Sequence, residues 1–169
     1  MVRRMSVKGL GIGFAAGGIG LLTGCATPEP VNATLPSLYW PMTTQTAQVD
    51  TATARDMISA YRARSGAGAL RLDPDLQKLA EAEAASMAMA DRPSRAQTVK
   101  NAVERLGFES AEANLSAGYH TLAEAFSGWR DSPAHNAAML SPTAQRMGIA
   151  TAYAPGSKYK VYWALLLAK

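Results

Sequence analysis

The chain has 169 residues, 48% of them hydrophobic and 18% charged, which is enough for one domain with its own core and excludes a disordered protein. Its formal charge of +4 belongs mostly to the start: residues 1–24 hold three basic residues and no acid, and the remainder carries 14 Lys and Arg against 13 Asp and Glu. No Lys/Arg block interleaved with aromatics is left, which argues against a nucleic-acid partner, and a single cysteine excludes an internal disulfide.

Arg3, Arg4 and Lys8 precede the uncharged apolar run 9–22, the layout of an export signal. Fourteen residues rise only about 21 Å as a helix, short of a bilayer core of about 30 Å, so a transmembrane segment is not expected. At the end of the run, Leu22-Thr23-Gly24-Cys25 resembles the bacterial lipobox, in which the chain is cleaved before the cysteine and its sulfur takes a diacylglycerol. That resemblance implies a lipoprotein-type signal peptide over 1–24, lipid attachment at Cys25, and a membrane as partner through that lipid. Arg3-Arg4 with a glycine-rich run also resembles a twin-arginine signal, so either export route stays open. Ala26, in place of an Asp after the cysteine, implies the outer membrane facing the periplasm rather than the inner membrane.

Residues 25–49 then read as a lipidated cysteine and an extended tether, with Pro28, Pro30, Pro36 and Pro41 among Thr, Ala and Gln. Leu38, Tyr39 and Trp40 break the polar pattern and are expected to dock on the domain as a strap rather than touch a membrane. The domain itself is expected over 50–169. Ala54, Met57, Ile58 and Tyr61 share one face of a helix over 51–64, closed by Gly66 and Gly68. Asp73-Pro74 caps and opens a second helix running to about Ala90, with Leu76, Leu79, Ala80, Ala84 and Met87 inward; its alanines predict close packing. Ser94-x-x-Gln97 has the form of a capping box for a third helix ending at Gly107. A short strand is predicted over 112–116, and two β-rich runs, 147–153 and 159–167, joined by Ala154-Pro155-Gly156-Ser157, predict a hairpin.

Between them lies the stretch 114–140, which holds both histidines. Thr121-x-x-Glu124 is a second capping box, followed by Leu122, Ala125, Phe126 and Trp129 as one apolar stripe. Ser132-Pro133 restarts a helix, with the Ser132 hydroxyl expected to serve as N-cap and His135 at the third position. Unpaired N–H dipoles there disfavour an imidazolium, and a neutral ring can ligate a metal or accept a hydrogen bond.

Asn114-Leu115-x-Ala117, Gly118-Tyr119, Trp129-x-x-Ser132-Pro133-x-His135 and Met139-Leu140 together resemble the bacterial branch of the CAP family: cysteine-rich secretory, antigen 5 and pathogenesis-related 1 proteins. Tyr61-Arg62-x-x-x-Gly66, Leu70-x-x-Asp73-x-x-Leu76 and Met87-Ala88 extend the likeness upstream; Met147-Gly148-Ile149-Ala150, Tyr159 and Tyr162-Trp163 extend it downstream. The resemblance implies an α/β fold, a three-layer α-β-α sandwich around a small, mainly antiparallel sheet. It also implies a cleft that in many members carries two histidines and two acids, sometimes around a divalent metal. Here His135 matches one histidine, while the acid's place before Asn114 is taken by Ala113 and the place after the tryptophan by Ser132. The second histidine would follow Ala90, where the chain reads Asp91-Arg92-Pro93-Ser94-Arg95. Glu112 is one residue off, and strand alternation turns it to the opposite face.

His135, Asn114 and Ser132 are thus the ligand-cleft candidates, with no catalytic residue assigned and neither zinc nor another divalent metal expected, since a single imidazole is too few ligands. His120 is expected to face solvent or cap a helix. The expectation is a monomeric envelope lipoprotein whose CAP domain binds a lipid, a cell-wall (peptidoglycan) fragment or a protein; a metal-dependent hydrolase is the alternative. Cys25→Ser should leave an uncleaved precursor without label from a radioactive fatty acid. Equal processing and equal absence of label in both forms would refute lipid attachment.

Overall fold

The computed structural model describes residues 35–169; the signal peptide, Cys25 and the first part of the tether lie outside the described residues. The fold is built on the run Val161–Ala168, all eight of whose side chains are buried. A strand covered on both faces has no polar side to show, which is why it reads as a continuous apolar run instead of alternating. In chain order the elements are α1 (Thr51–Arg64), β1 (Arg71–Leu72), α2 (Pro74–Ala90), α3 (Ala96–Arg105), β2 (Glu112–Ala117), α4 (Leu122–Asp131), α5 (Pro133–Met139), β3 (Arg146–Tyr153) and β4 (Val161–Ala168). The sheet runs β1-β3-β4-β2, antiparallel except for β1 against β3.

Alternation along β4 divides the core. Val161, Trp163, Leu165 and Leu167 pack with Ile58 of α1, Trp129 of α4 and Met139 of α5. Tyr162, Ala164, Leu166 and Ala168 pack with Leu76, Ala80, Ala84 and Met87 of α2 and with Val99 and Val103 of α3. Helices thus cover both faces of a mixed four-stranded sheet, the three-layer α/β arrangement expected. Helix α2 comes close to the sheet at Gly148, where an added Cβ would collide with the Leu76 backbone carbonyl. Gln77 uses that proximity. Its amide nitrogen donates to Ile149 O and its amide oxygen accepts from Ile149 N, both at 3.0 Å, so a side chain extends the ladder where β1 stops.

Several local expectations change. The Ser94 capping box does not form: α3 starts at Ala96 behind Arg95, with no side-chain cap, and Gln97 instead donates to Asn101 one turn on, at 2.8 Å. β1, two residues long, carried no period to read. Tyr159 lies in the turn before β4 instead of in the strand. The tether expected over 25–49 does not extend to Val49, because from Ser37 the chain lies on the domain. The Ser37 hydroxyl donates to Asp50 Oδ2 at 2.7 Å and Thr53 Oγ1 at 2.9 Å, Met42 N donates to His120 O at 2.8 Å, and the Met42 side chain is buried. Leu38 packs on the core as a strap should, whereas Tyr39 and Trp40 point away and are 52% and 46% exposed.

Helix α1 has its expected bounds, capped by Asp50, whose carboxylate accepts from Thr53 N at 3.0 Å. That bond, then those from the Thr53 and Ser37 hydroxyls, hold the Asp50 pKa down at about 2. The apolar face is wider than its periodicity shows, because Arg62 is wholly buried in it. Among the described residues the guanidinium has no carboxylate partner; it donates to four carbonyls, Gly68 O (2.7 Å), Met139 O (2.6 Å), Ser141 O (3.0 Å) and Ala144 O (2.9 Å). Arg62→Met keeps the aliphatic bulk and strands those acceptors, so it should destabilise the domain by about 3 kcal/mol or more. Urea unfolding followed by circular dichroism checks this, and an unchanged midpoint would show that water replaces the guanidinium without cost.

Candidate functional site

On β2, Ala113 and Leu115 face the α2 and α3 layer, while Asn114 and Ser116 face the other. Ser116 Oγ accepts the indole N–H of Trp129 at 3.0 Å, and the Trp163 indole donates to Tyr119 O at 2.8 Å. The two indoles meet edge to face at 6.1 Å. Tyr119 itself lies so close over α4 that a Cβ on Gly128 would meet its hydroxyl at 2.0 Å. Ser116 is therefore part of the packing around Trp129.

Asn114 is fully buried, and its amide nitrogen donates to His135 O at 2.9 Å. Its Oδ1 is buried and has no hydrogen-bond partner among the described residues. It tethers the start of α5 to the sheet and does not line the cleft. Ser132 is half-buried at the N-cap of α5, but its hydroxyl makes no cap bond; its backbone carbonyl accepts from Asn136 N at 2.8 Å. The hydroxyl cap expected there is absent, and the carbonyl bond is the ordinary first bond of the helix. His120 is exposed. Its backbone N–H donates to Glu124 Oε2 at 2.6 Å, and Thr121 Oγ1 accepts from Glu124 N at 3.2 Å, a capping box displaced by one residue.

His135 lines an open cleft of about 300 Å³ between α3, β2 and α5, to which Asn114 and Ser132 do not contribute. Opposite it stand Ser94, Lys100, Glu112 and Ala113. Glu112 reaches the same cleft as Ala113, against simple alternation, because it opens an edge strand where its long side chain can bend round toward α3. There its carboxylate lies 2.6 Å from Lys100 Nζ, with both side chains about a quarter exposed. Sequence pattern did not mark Lys100; its one signal is the i,i+4 spacing from Ala96, which puts both on one face of α3. Burial pushes the His135 imidazole below its ordinary pKa of 6.5, and no acid is among the causes. Among the described residues no three His, Cys, Asp or Glu side chains converge.

The model for the cysteine-rich secretory protein family, CAP, matches residues 55–167. The chain belongs to this family. Its CAP domain is similar in fold to an outer surface protein of Borrelia burgdorferi, at a TM-score of 0.60 and 17% identity over 73% of this chain and 97% of that one. It is also similar to an SCP-domain extracellular protein of Bacillus anthracis (TM-score 0.58, 17% identity, 70% of this chain and 39% of that one). A third is a cysteine-rich secretory protein of Staphylococcus aureus (TM-score 0.53, 14% identity, 69% of this chain and 37% of that one). The CAP domain thus spans well under half of the latter two proteins. Comparison with curated proteins finds no match.

In this CAP domain Ala113 takes the acid's place and lines the same cleft as His135. The folded ring binds a proton less readily than the unfolded one. His135 therefore supports stability above about pH 6.5, and that support is lost as pH falls from there through the folded value. NMR titration of the imidazole should give a pKa below 6.5, and His135→Gln should flatten the stability profile in that window. Ala113→Glu should raise the His135 pKa by placing a carboxylate beside it; an unmoved titration would show that residue 113 does not address the ring.

Proposed function

We propose that this CAP domain is a non-catalytic binding module of the cell envelope, anchored through a lipid on Cys25. Its ligand, a lipid, a cell-wall fragment or a protein, enters the cleft beside His135. One observation carries the reading: the only carboxylate among the residues lining that cleft, Glu112, is already paired with Lys100, and Ala113 replaces the acid that would face the imidazole. Hydrolysis by an activated water needs a base and an electrophile, or a metal on at least three protein ligands. The cleft instead offers hydrogen-bonding groups: a neutral imidazole, the Ser94 hydroxyl and a Lys–Glu pair. Those suit recognition of a polar ligand held by directed hydrogen bonds. Placement in the envelope, with the outer membrane favoured, rests on the pattern of residues 1–26. The domain acts as a monomer in this reading, needing neither a cofactor nor nucleic acid.

Zinc is the discriminating probe against a metal-dependent hydrolase. Isothermal titration of the chain lacking residues 1–25 should show no stoichiometric binding at about micromolar affinity or tighter. Ala113→Glu alone should not create such binding, because two ligands remain too few. Stoichiometric uptake by the unaltered chain, abolished in His135→Ala, would overturn the reading in favour of the hydrolase.

A further inference from the structure

The strap over 35–49 has two sides. Leu38, Ala47 and Val49 pack on the core and Met42 is buried in it. The other side carries Leu35, Tyr39 and Trp40, which are 62%, 52% and 46% exposed. These are three of the five large hydrophobic side chains exposed among the described residues, and they fall within six positions. Scattered exposed apolar residues are ordinary; a cluster is not. It is also a held cluster. The Trp40 indole N–H donates to Leu35 O at 2.9 Å, and the intervening 3-10 turn, Ser37–Tyr39, is pinned through Ser37 to Asp50.

We infer that Leu35, Tyr39 and Trp40 form a membrane-docking patch that seats the CAP domain on the interface of the bilayer holding its lipid. The inference rests on the lipid anchor of the proposed function, and chain length ties the two together. Cys25 lies ten residues before Leu35, which is at most about 35 Å of fully extended chain. A patch confined within that radius of the bilayer meets it at high effective concentration, so weak partitioning suffices to hold it there. The composition fits an interface and no deeper position. Tyr and Trp present an apolar body with a polar edge and favour the headgroup level. Residues 30–49 contain no charged side chain, so seating this segment desolvates no ion. No strap residue lines the His135 cleft, so the two surfaces are separate.

Trp40 is its own reporter, because the other two tryptophans, Trp129 and Trp163, are fully buried. The full-length protein is reconstituted into vesicles of phosphatidylethanolamine and phosphatidylglycerol, with and without a lipid brominated near the headgroup end of its chains. Mass spectrometry records the lipid on Cys25 separately. The expected result is bromine quenching of the Trp40 share of the emission, absent in Trp40→Phe and reduced at least about twofold in a Leu35→Ser/Tyr39→Ser double variant. Both variants change exposed side chains and should keep the wild-type melting temperature. Lipidated protein whose Trp40 stays unquenched and open to aqueous iodide overturns the patch while leaving the anchor intact. Protection from iodide without bromine quenching overturns it too, since a protein surface would then cover Trp40. If Cys25 carries no lipid, the anchor fails, and flotation of the unlipidated chain with the same vesicles decides the patch: flotation lost in the double variant upholds it, and none at all overturns it.

Discussion

One guanidinium holds the layer that carries the candidate site. Arg62, in the last turn of α1, donates to carbonyls of the loop after α1, of the end of α5, and of the loop leading into β3. Burying a charge without a counter-ion is costly unless its donors are met, and here the acceptors include Met139 O at the C-terminal, partly negative end of a helix. Its neighbour Tyr61 donates to Asn136 Oδ1 at 2.8 Å, so two adjacent residues of α1 grip the same short helix. At seven residues α5 is too short to persist alone. Arg62 fixes its end, Tyr61 its middle and Asn114 its start, and the position of His135 follows from those three bonds.

The cleft beside His135 is built at the edge of the sheet, between α3, β2 and α5. The imidazole stands there half-buried, and burial holds its pKa below the ordinary value. Around it stand Ala113 and Glu112, the latter with its carboxylate paired to the Lys100 ammonium. Family membership fixes the architecture, while the side chains that line the cleft are this chain's own.

The strap adds a second surface with a different logic. Met42 is buried in the core and Leu38, Ala47 and Val49 pack half-buried against it, while the outer residues are left to solvent. The strap is tied to the domain from Ser37 onward, because Asp50 caps α1 and receives Ser37 with the same carboxylate.

Local patterns in the chain were enough for α1, α2 and α4, for the Thr121 cap, for the β3–β4 pair and for the apolar stripe ending at Trp129. Each of these rests on a period or a cap formed by residues within a turn or two of one another. Likeness to the family pointed to His135 and to the vacancy at Ala113. Folding decided the rest. Arg62 reads as a surface cation until residues 77 to 82 positions away supply its carbonyls. Gln77 reads as a polar helix position until it meets Ile149, 72 residues on, and Glu112 reads as outward-facing until α3 brings Lys100 beside it. Asn114 reads as a ligand group until its amide is seen spent on His135 O, 21 residues ahead. All four are polar side chains whose burial and partners are set by contacts distant along the chain, and hydrophobic period carries no signal for such contacts.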